Sequence, residues 1–450
     1  MSLTPPPATA SCETRAHRIT VALLLVSFVI YALTISGGLW TTDVFGANWT
    51  SWHIASAGNP WIDGTPMPEV GQRSDHLLAI VQTANGHTAF GRFPGVVVAS
   101  LPAYLIASGS MSIVPGSLTA ALLTACALAL LFNALRRYLR DTHALLATAI
   151  FGFATPVWTV SANLMWPHTI TVLGIAGMAW ASSRDRWWLT GVFGGIALLG
   201  RLHVALVVAT LGVGVGIRRR DLHLVARMAT TSGLFLVMTC VWNRWVYGSW
   251  NPLGGYGSGA TGAVESYWSS IPNYLGMWIA PDRGILVWTP AVGLLIPALA
   301  RSWRDLPDWS RSLLIGGVAY TVLQSALIGF SGGDGFYGYR YGLEFLACAT
   351  PALALSASRM GRVARVLIGP VVAVQTFAFL LGAWYENLFL DQNRAWHANT
   401  FVDTLDRIGA AAWVVTAVLA ALGLLVARRI AAGQRSTTTD PAQPAERISV

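Results

Sequence analysis

The first long apolar run of the chain occupies residues 21–35, which read VALLLVSFVIYALTI. Arg15 and Arg18 precede this run, and Ser-Gly-Gly-Leu-Trp, rather than a small-residue cleavage site, follows it. An uncleaved apolar run with basic residues on one side is typical of a membrane span whose N-terminal side stays in the cytoplasm. We therefore predict a retained first transmembrane helix behind a cytoplasmic N-terminus of residues 1–18.

Apolar runs of similar length recur from one end of the chain to the other. Hydrophobic residues make up 54% of the 450 residues, charged residues only 11%, and the mean hydropathy is +0.54. A soluble globular protein carries roughly 25% charged residues, so this chain lacks the polar surface that water requires. The composition predicts an all-α polytopic membrane protein with no separate soluble domain of ordinary size.

Arginine supplies all 29 basic residues and gives the chain a net charge of +9. Most arginines form short clusters at the ends of apolar runs, which is the positive-inside pattern of membrane proteins and argues against a nucleic-acid partner. If every cluster is cytoplasmic, the chain crosses the bilayer twelve times and both termini lie inside. The predicted spans lie near residues 19–40, 116–135, 143–161, 168–183, 187–200, 204–217, 228–247, 284–300, 312–330, 342–358, 366–385 and 409–427.

The segment Phe93–Ile113 is also apolar enough to cross the membrane. A crossing there would move the cluster that begins at Arg136 to the outside, against the charge rule. Pro94 and Pro102 favour a broken helix lying in the outer leaflet. Thirteen spans are the alternative arrangement.

The domain organisation that follows is simple. Residues 19–427 are predicted to form one transmembrane domain, with a long outer loop over residues 41–92. The C-terminal segment, residues 428–450, is polar and rich in Thr, Gln and Pro near its end, which predicts a disordered cytoplasmic tail.

Charged residues outside the cytoplasmic clusters gather on the predicted outer side. Asp43 comes just after the first span, where a carboxylate beside aromatic residues can have a raised pKa and act as a general base. A solvated loop aspartate is the plainer interpretation of its position. Arg92, in Gly91-Arg92-Phe93-Pro94-Gly95, could bind a lipid phosphate or anchor the chain at the headgroup level.

Three further residues interrupt apolar stretches near the outer side. His168 follows Trp166-Pro167 at the start of the fourth span and could hydrogen-bond a sugar or phosphate, although a helix-entry histidine is the commoner case. Arg201 and His203 lie in a short turn between two apolar helices. An ionisable residue at membrane depth is a functional candidate by default, and an ordinary surface turn is the equal alternative.

Residues 280–286 read APDRGIL and begin the eighth span. Backbone amides at a helix start, together with the Arg283 guanidinium, suit an anion. Pro-Asp is also an ordinary way to begin a helix, so this motif alone is a modest signal.

Residues 331–344 read SGGDGFYGYRYGLE and form the richest outer segment. Its five glycines permit close backbone approach, its aromatic residues offer stacking faces for a sugar ring, and its arginine has the geometry for bidentate phosphate binding. The candidate binding residues in this segment are Asp334, Tyr337, Tyr339, Arg340 and Glu344.

Several motifs are missing from the sequence. We find no Asp-x-Asp pair, Walker loop, nucleotide-binding glycine fingerprint, nucleophile elbow or His/Cys metal spacing. This argues against a cytoplasmic nucleotide-sugar enzyme or an ATP-driven pump. The four cysteines lack paired spacing. We expect no cofactor and no metal ligands, while the sequence leaves open whether a divalent metal assists.

Taken in order, these motifs resemble the type C glycosyltransferases, polytopic enzymes that take sugars from polyprenyl-phosphate donors. The group includes protein O-mannosyltransferases, aminoarabinose transferases and actinobacterial arabinosyl- and mannosyltransferases. Four features carry the resemblance over residues 1 to about 360. They are Asp43 after the first span, the entry Arg92–Gly95, the paired motifs within Tyr247–Leu286, and the loop Gly332–Tyr341.

The resemblance implies an inverting transfer of a hexose or pentose at the outer face of a bacterial plasma membrane. The implied donor is a polyprenyl-phosphate-linked sugar, and the acceptor is a glycan, lipid or protein of the cell envelope. Asp43 matches the catalytic base. Donor phosphate binding is implied for Arg340, Arg201, Arg283 and Arg92, and substrate binding for Asp334, Tyr337, Tyr339, Glu344 and His168.

The chain departs from the family pattern in two places. Protein O-mannosyltransferases pair two acidic residues after the first span, whereas Val44 follows Asp43 here. The large C-terminal carbohydrate-binding domain of some arabinosyltransferases is also missing.

Two other functions fit a polytopic chain. Twelve spans with both termini inside also suit a transporter or flippase of lipid-linked sugars. That alternative predicts two pseudo-symmetric halves, which we do not find in the sequence. A non-catalytic scaffold of the same fold would be expected to lack the acidic residue after the first span, and Asp43 is present.

Overall fold

The computed structural model describes residues 10–36, 41–65, 80–256, 267–333, 335–384 and 392–436. Within these ranges the chain is helical apart from one antiparallel hairpin, connecting turns and irregular loops, so the predicted all-α polytopic membrane fold is confirmed. Asp334 and residues 437–450 of the predicted tail lie outside the described residues.

Eighteen α-helices and two strands make up the described part of the chain. The hairpin consists of β1 (Ile80–Gln82) and β2 (Thr88–Phe90), paired with Ile80 opposite Phe90. The helices are α1 (Ala10–Leu33), α2 (Thr42–Ala57), α3 (Pro94–Ile106), α4 (Val114–Leu135), α5 (Asp141–Phe153), α6 (Pro167–Ser182), α7 (Trp187–Gly200), α8 (Ala205–Arg219), α9 (Leu222–Tyr247), α10 (Ile271–Ile279), α11 (Ile285–Trp288), α12 (Pro290–Ser302), α13 (Asp308–Leu327), α14 (Leu343–Ser356), α15 (Arg362–Trp384), α16 (Gln392–His397), α17 (Thr400–Ile408) and α18 (Ala410–Ser436).

Six of the described helical segments are long and apolar enough, by length and composition, to cross a bilayer. The other passages are shorter or more polar, and a π-helical turn over Val157–Ala162 extends the passage that α5 begins. Their backbone groups are paired within helices, as the hydrocarbon layer requires. The six long segments are Thr14–Leu33, Val114–Leu135, Leu202–Arg219, Leu222–Tyr247, Arg362–Trp384 and Ala410–Ile430.

Small residues allow the passages to pack closely. A Cβ atom on Gly177 of α6 would lie 2.0 Å from the ring of Phe193 on α7, and one on Gly174 would lie 2.6 Å from the Cβ atom of Ala197. In a bilayer, helix association depends on such van der Waals contact because lipid tails are as apolar as the side chains. The two glycines therefore set the α6–α7 spacing.

The arginine clusters meet at one end of the bundle. Arg219, at the end of α8, lies 2.5 Å from Asp185 in the α6–α7 turn. Arg359, after α14, lies 2.5 Å from Asp305 in the α12–α13 turn and also donates to the carbonyl oxygen of Arg301. The turns predicted to be cytoplasmic are thus neighbours, which agrees with twelve alternating passages.

The helix α3 stays at the opposite end. A Cβ atom on Gly95 near its start would lie 2.6 Å from the carbonyl oxygen of Leu199, at the end of α7. Near its other end, the Tyr104 hydroxyl donates to the carbonyl oxygen of Ser112, just before α4. Both contacts agree with the predicted interfacial helix, and the choice between twelve and thirteen spans stays a prediction.

Two predicted boundaries differ from the structure. Residues 41–92, expected as a loop, include α2, which begins because the Thr41 side chain accepts the Val44 N–H, and ends at Gly58 with a positive φ of 74°. The tail was expected to be disordered from residue 428, but α18 continues to Ser436, in keeping with the good helix formers Ala, Arg and Gln there.

Candidate functional site

Asp43 lies in the first turn of α2, at the end of the bundle opposite the arginine clusters. A helix N-terminus favours a negative charge because its backbone N–H groups point toward it. The Asp43 side chain keeps 32% of its surface exposed. It is thus both stabilised by the helix and open to a ligand.

Arg340 binds the Asp43 carboxylate from across the chain. Its Nη1 lies 2.6 Å from Asp43 Oδ2, and its Nη2 donates to the Tyr341 hydroxyl at 2.9 Å. The guanidinium carbon lies 4.8 Å from the ring centroid of Trp166, 4.7 Å from that of Tyr341 and 5.5 Å from that of Phe336. Three aromatic faces and one carboxylate therefore fix this cation.

Arg92 approaches Asp43 from the hairpin side. Its Nη2 lies 3.7 Å from Asp43 Oδ1, and its Nε donates to the Asp43 carbonyl oxygen at 3.2 Å. The buried Tyr247 hydroxyl accepts the Arg92 backbone N–H at 2.8 Å and lies 2.9 Å from the carbonyl oxygen of Phe90. A Cβ atom on Gly46 would lie 2.9 Å from Arg92 Nε, so a larger residue there would displace the end group of the arginine.

The two arginines control the ionisation of Asp43. Burial raises the pKa of the Asp43 carboxyl, but the charges of Arg340 and Arg92 outweigh burial and hold that pKa well below its usual range. The expectation of a raised pKa is therefore wrong, because the sequence does not reveal that two guanidinium groups reach this carboxylate. Asp43 is ionised at neutral pH.

Next to this pair lies a second polar cluster around Arg201. Arg201 Nη2 lies 3.0 Å from His168 Nε2, and His168 Nδ1 lies 2.8 Å from Glu344 Oε1. The Thr171 hydroxyl donates to the same Glu344 oxygen at 2.7 Å. The side chains of His168 and Glu344 are 0% exposed, so the expectation that they contact substrate directly is not met.

Tyr341 joins the two clusters. Its ring centroid lies 5.2 Å from the guanidinium carbon of Arg201 and 4.7 Å from that of Arg340. The charge of Arg201 also contributes to the lowering of the Asp43 pKa. Three arginines thus converge around Asp43.

Arg283 lies in a different setting. Its side chain, 1% exposed, pairs with Asp282 and donates to the carbonyl oxygens of Ser331 at 3.0 Å and Gly338 at 3.1 Å. It also lies 4.5 Å from the ring centroid of Phe336. Arg283 therefore holds the glycine-rich loop in place, and the structure gives it no open face for the donor phosphate expected of it.

The two tyrosines expected to stack on a sugar lie in the core. Tyr337 is 1% exposed and its hydroxyl donates to Thr404 at 3.2 Å. Tyr339 is 1% exposed and its hydroxyl lies 3.1 Å from that of Thr289. This corrects the stacking expectation: the loop turns at Gly338, whose φ is 89°, and places Tyr341 beside the arginines instead. Asp334 lies outside the described residues.

Sequence reasoning missed the supporting roles of three residues. Gln324 Oε1 lies 3.3 Å from Arg201 Nη1 and 2.6 Å from His203 Nε2. Trp166 and Tyr341 pack on Arg340. A glutamine within an apolar span is the one sequence signal for Gln324, and Trp166 and Tyr341 stand out in the sequence only as parts of motifs.

In the ranges that the structure describes, no group of three His, Cys, Asp or Glu side chains is close enough to hold a metal ion. The expectation of a reaction without cofactor or metal stays a prediction.

Comparison with known proteins gives similarity to solved structures only. No protein-family model matches the chain, and no curated protein matches it. The crystal structure of ArnT from Cupriavidus metallidurans bound to undecaprenyl phosphate is 17% identical, with a TM-score of 0.45 over 81% of this chain and 62% of that one. The apo structure of the same protein is 16% identical, with a TM-score of 0.44 over 82% of this chain and 64% of that one. The chain thus spans less than two thirds of either structure.

Proposed function

We propose that this protein is a membrane glycosyltransferase of the type C kind that the ordered motifs resemble. It moves a hexose or pentose from a polyprenyl-phosphate donor to a glycan, lipid or protein acceptor at the outer face of a bacterial plasma membrane. The observation that carries the proposal is the pairing of Arg340 and Arg92 with the partly exposed carboxylate of Asp43, with Arg201 on the other side of Tyr341.

The charge at the site suits a phosphodiester. Three arginines face two carboxylates, Asp43 and Glu344, which leaves an excess of one positive charge. A guanidinium fork matches phosphate oxygens in pairs. Fixed cations also stabilise the negative charge that grows on the phosphate as the glycosidic bond breaks. Arg340 and Arg201 are the proposed phosphate ligands, with Arg92 beside Asp43.

Donor binding would also prepare the base. In this structure Arg340 holds the pKa of Asp43 low, and a weakly basic carboxylate is a poor proton acceptor. A phosphate that takes over Arg340 frees one oxygen of Asp43 and raises the Asp43 pKa. Deprotonation of the acceptor then depends on a bound donor, which limits activation of the base when no donor is present.

The reaction is a single displacement. The acceptor oxygen attacks the anomeric carbon, its proton passes to Asp43, and the bond from the anomeric carbon to the phosphate oxygen breaks. Polyprenyl phosphate leaves with the bonding electrons, and the anomeric configuration inverts. Because the donor carries a long apolar tail, a reaction site at one end of a transmembrane bundle keeps the tail in the bilayer.

A panel of polyprenyl-phosphate sugars, incubated with the purified full-length protein and candidate acceptors, tests this function. We expect one donor to be consumed and its sugar to appear on an acceptor with inverted configuration. Asp43→Asn should lower turnover by about 10²–10⁴-fold, the usual contribution of a general base. The matched control is Asp63→Asn in the outer segment, a half-exposed aspartate paired with His87, which should leave turnover intact.

Two results would contradict the proposal. Full turnover in Asp43→Asn would remove Asp43 as the base. Movement of an intact lipid-linked sugar across vesicle membranes, with no sugar transferred by the wild-type protein, would favour the transporter alternative.

A further inference from the structure

The buried pair His168–Glu344 forms a chain of contacts that ends on Arg201. Glu344, on α14, lies 2.8 Å from His168 at the start of α6, and His168 lies 3.0 Å from Arg201 in the α7–α8 turn. Three separate parts of the bundle therefore meet through these side chains. The exposed fraction of both His168 and Glu344 is 0%, so neither reaches a ligand directly.

The direction of the hydrogen bonds follows from the chemistry of the groups. A guanidinium can only donate, so His168 Nε2 must accept from Arg201. The remaining ring nitrogen, Nδ1, then carries the proton and donates to Glu344 Oε1. His168 is thus a neutral imidazole of one fixed tautomer, which connects a cation to a carboxylate.

A second contact limits the rotation of Arg201 on its other side. Arg201 Nη1 lies 3.3 Å from Gln324 Oε1, which also lies 2.6 Å from His203 Nε2. The face of the guanidinium packs on Tyr341, 5.2 Å from its ring centroid. Gln324 therefore contacts Arg201 at Nη1, and His168 contacts it at Nη2.

This arrangement has a cost that a purely structural role does not explain. A buried carboxylate is usually no more stabilising than apolar residues of the same volume. Glu344 Oε2, moreover, finds no hydrogen-bond partner among the described residues. The arrangement does supply a fixed arginine. A free arginine side chain loses rotamer entropy when it is ordered, and a side chain that is already ordered avoids that loss on binding.

We propose that His168 and Glu344 are positioning residues, which hold the Arg201 guanidinium toward the donor phosphate beside Arg340. This inference rests on the proposed function, because it names how one phosphate ligand of that same site is kept in place.

Two substitutions at His168 separate its two contacts. Counted in bonds from the backbone, an asparagine amide reaches the position of Nδ1 and a glutamine amide reaches that of Nε2. His168→Asn can therefore keep the contact with Glu344 but not with Arg201. His168→Gln can keep an acceptor for Arg201 but loses the Nδ1 position.

Binding of polyprenyl phosphate and steady-state transfer are measured on the full-length protein, together with Tm. We expect His168→Asn to bind polyprenyl phosphate roughly 10-fold more weakly, as the loss of a hydrogen bond to a charged group predicts, with the effect mainly in the donor KM. His168→Gln should bind within a few-fold of wild type. Similar Tm values for the two variants would show that their difference in donor binding does not come from a general loss of structure.

Thr171→Val is a milder variant, which removes one donor to Glu344 and keeps every charge. We expect it to fold and to weaken donor binding two- to fivefold. If Thr171→Val and every His168 variant that folds bind polyprenyl phosphate as tightly as wild type, the positioning role is wrong.

Arg340→Lys distinguishes failure of this inference from failure of the proposed function. Weak binding by Arg340→Lys together with wild-type binding by His168→Asn would overturn the positioning role alone. No binding of polyprenyl phosphate by the wild-type protein would overturn both.

Discussion

The carboxylate of Asp43 and the guanidinium of Arg340 are separated by 297 positions in the chain, yet their oxygen and nitrogen atoms lie 2.6 Å apart. The contact joins the first turn of α2 to the glycine-rich loop between α13 and α14. It pairs the proposed base with the proposed phosphate ligand, so the two groups respond to each other. A change at either residue is therefore expected to alter both donor binding and proton transfer.

Replacement of Arg340 by lysine keeps the charge but removes the planar fork. Lysine cannot donate to Asp43 and Tyr341 from two fixed nitrogens, as Arg340 does, and it stacks less well on aromatic rings. We expect Arg340→Lys to weaken donor binding roughly 10- to 100-fold, the range for loss of a hydrogen bond between charged groups. Binding of polyprenyl phosphate and the donor KM measure this. Wild-type values for both would remove Arg340 from the site.

Replacement of Gly46 by alanine tests whether Arg92 must lie beside Asp43. The added Cβ atom would lie 2.9 Å from Arg92 Nε and 3.1 Å from the Phe90 ring. Because an arginine end group can shift, we expect little loss of Tm but a fall of several-fold in kcat. Gly233→Ala on α9 is the matched control, since nothing lies within 4 Å of its Cβ position. Equal kcat in the two variants would show that the position of Arg92 is unimportant.

The positions of the long apolar helices were largely predictable because their signals are local. Clusters such as Arg218–Arg220 mark helix ends without reference to the rest of the chain, and the structure brings the predicted cytoplasmic turns together. Pro94 and Pro102 lie in the helix α3, as expected, and its interfacial position stays a prediction. A span boundary depends on residues that are consecutive in the chain, so it can be read directly from the sequence.

The site was predictable only as a set of residues. Asp43, Arg92, Arg201 and Arg340 were all candidates, but which of them meet depends on how distant segments pack. Residue type alone did not separate Arg283, which is fixed to the glycine-rich loop, from the arginines that lie around Asp43. The burial of a polar residue is likewise set by tertiary packing.

The same limit applies to the aromatic residues of the glycine-rich loop. Tyr337, Tyr339 and Tyr341 alternate in sequence, and nothing local distinguishes them. In the structure Tyr337 and Tyr339 turn into the core, and Tyr341 packs on Arg340. The positive φ values of Gly332, Gly333 and Gly338 determine the path of the loop. Glycine adopts positive and negative φ about equally readily, so the sequence alone does not predict this path.

The orientation of the bundle in the membrane can be tested by labelling. Asp141 follows the cluster at Arg136 and pairs with that arginine at 3.5 Å, so Asp141→Cys should resist an impermeant thiol reagent in intact cells. Asp63→Cys is the matched control from the opposite end, where that side chain is 42% exposed, and should react. Both are made in a background without the four natural cysteines. Labelling of Asp141→Cys from outside would contradict twelve spans with a cytoplasmic N-terminus.

The last prediction concerns the acid stability of the protein. The pKa of Asp43 is lower in the folded protein than its ordinary value of 3.8, because the charges of Arg340 and Arg92 outweigh burial. A carboxyl with a lowered folded pKa stabilises the fold above its unfolded pKa, and this contribution is lost as pH falls through the folded pKa. The stability that Asp43 provides should therefore be complete above about pH 5 and decline below about pH 4.

Tm measured in detergent from pH 7 down to pH 3 checks this sign. Asp43→Asn cannot ionise and leaves Arg340 and Arg92 without their counter-charge, so we expect it to have the lower Tm at pH 7. The difference from wild type should shrink as pH falls below about 4, because the Asp43 carboxyl of the unfolded wild-type chain then takes up a proton, whereas the same carboxyl stays ionised in the fold. Asp63 is the exposed comparison, and the hydrogen bond from the Thr88 backbone N–H is the main cause of its lowered pKa. Solvent screening should make the Tm change of Asp63→Asn smaller than that of Asp43→Asn. A Tm difference between wild type and Asp43→Asn that stays constant from pH 7 to pH 3 would show that the two arginines do not hold the carboxylate ionised. The proposed activation of Asp43 by donor binding would then lose its basis.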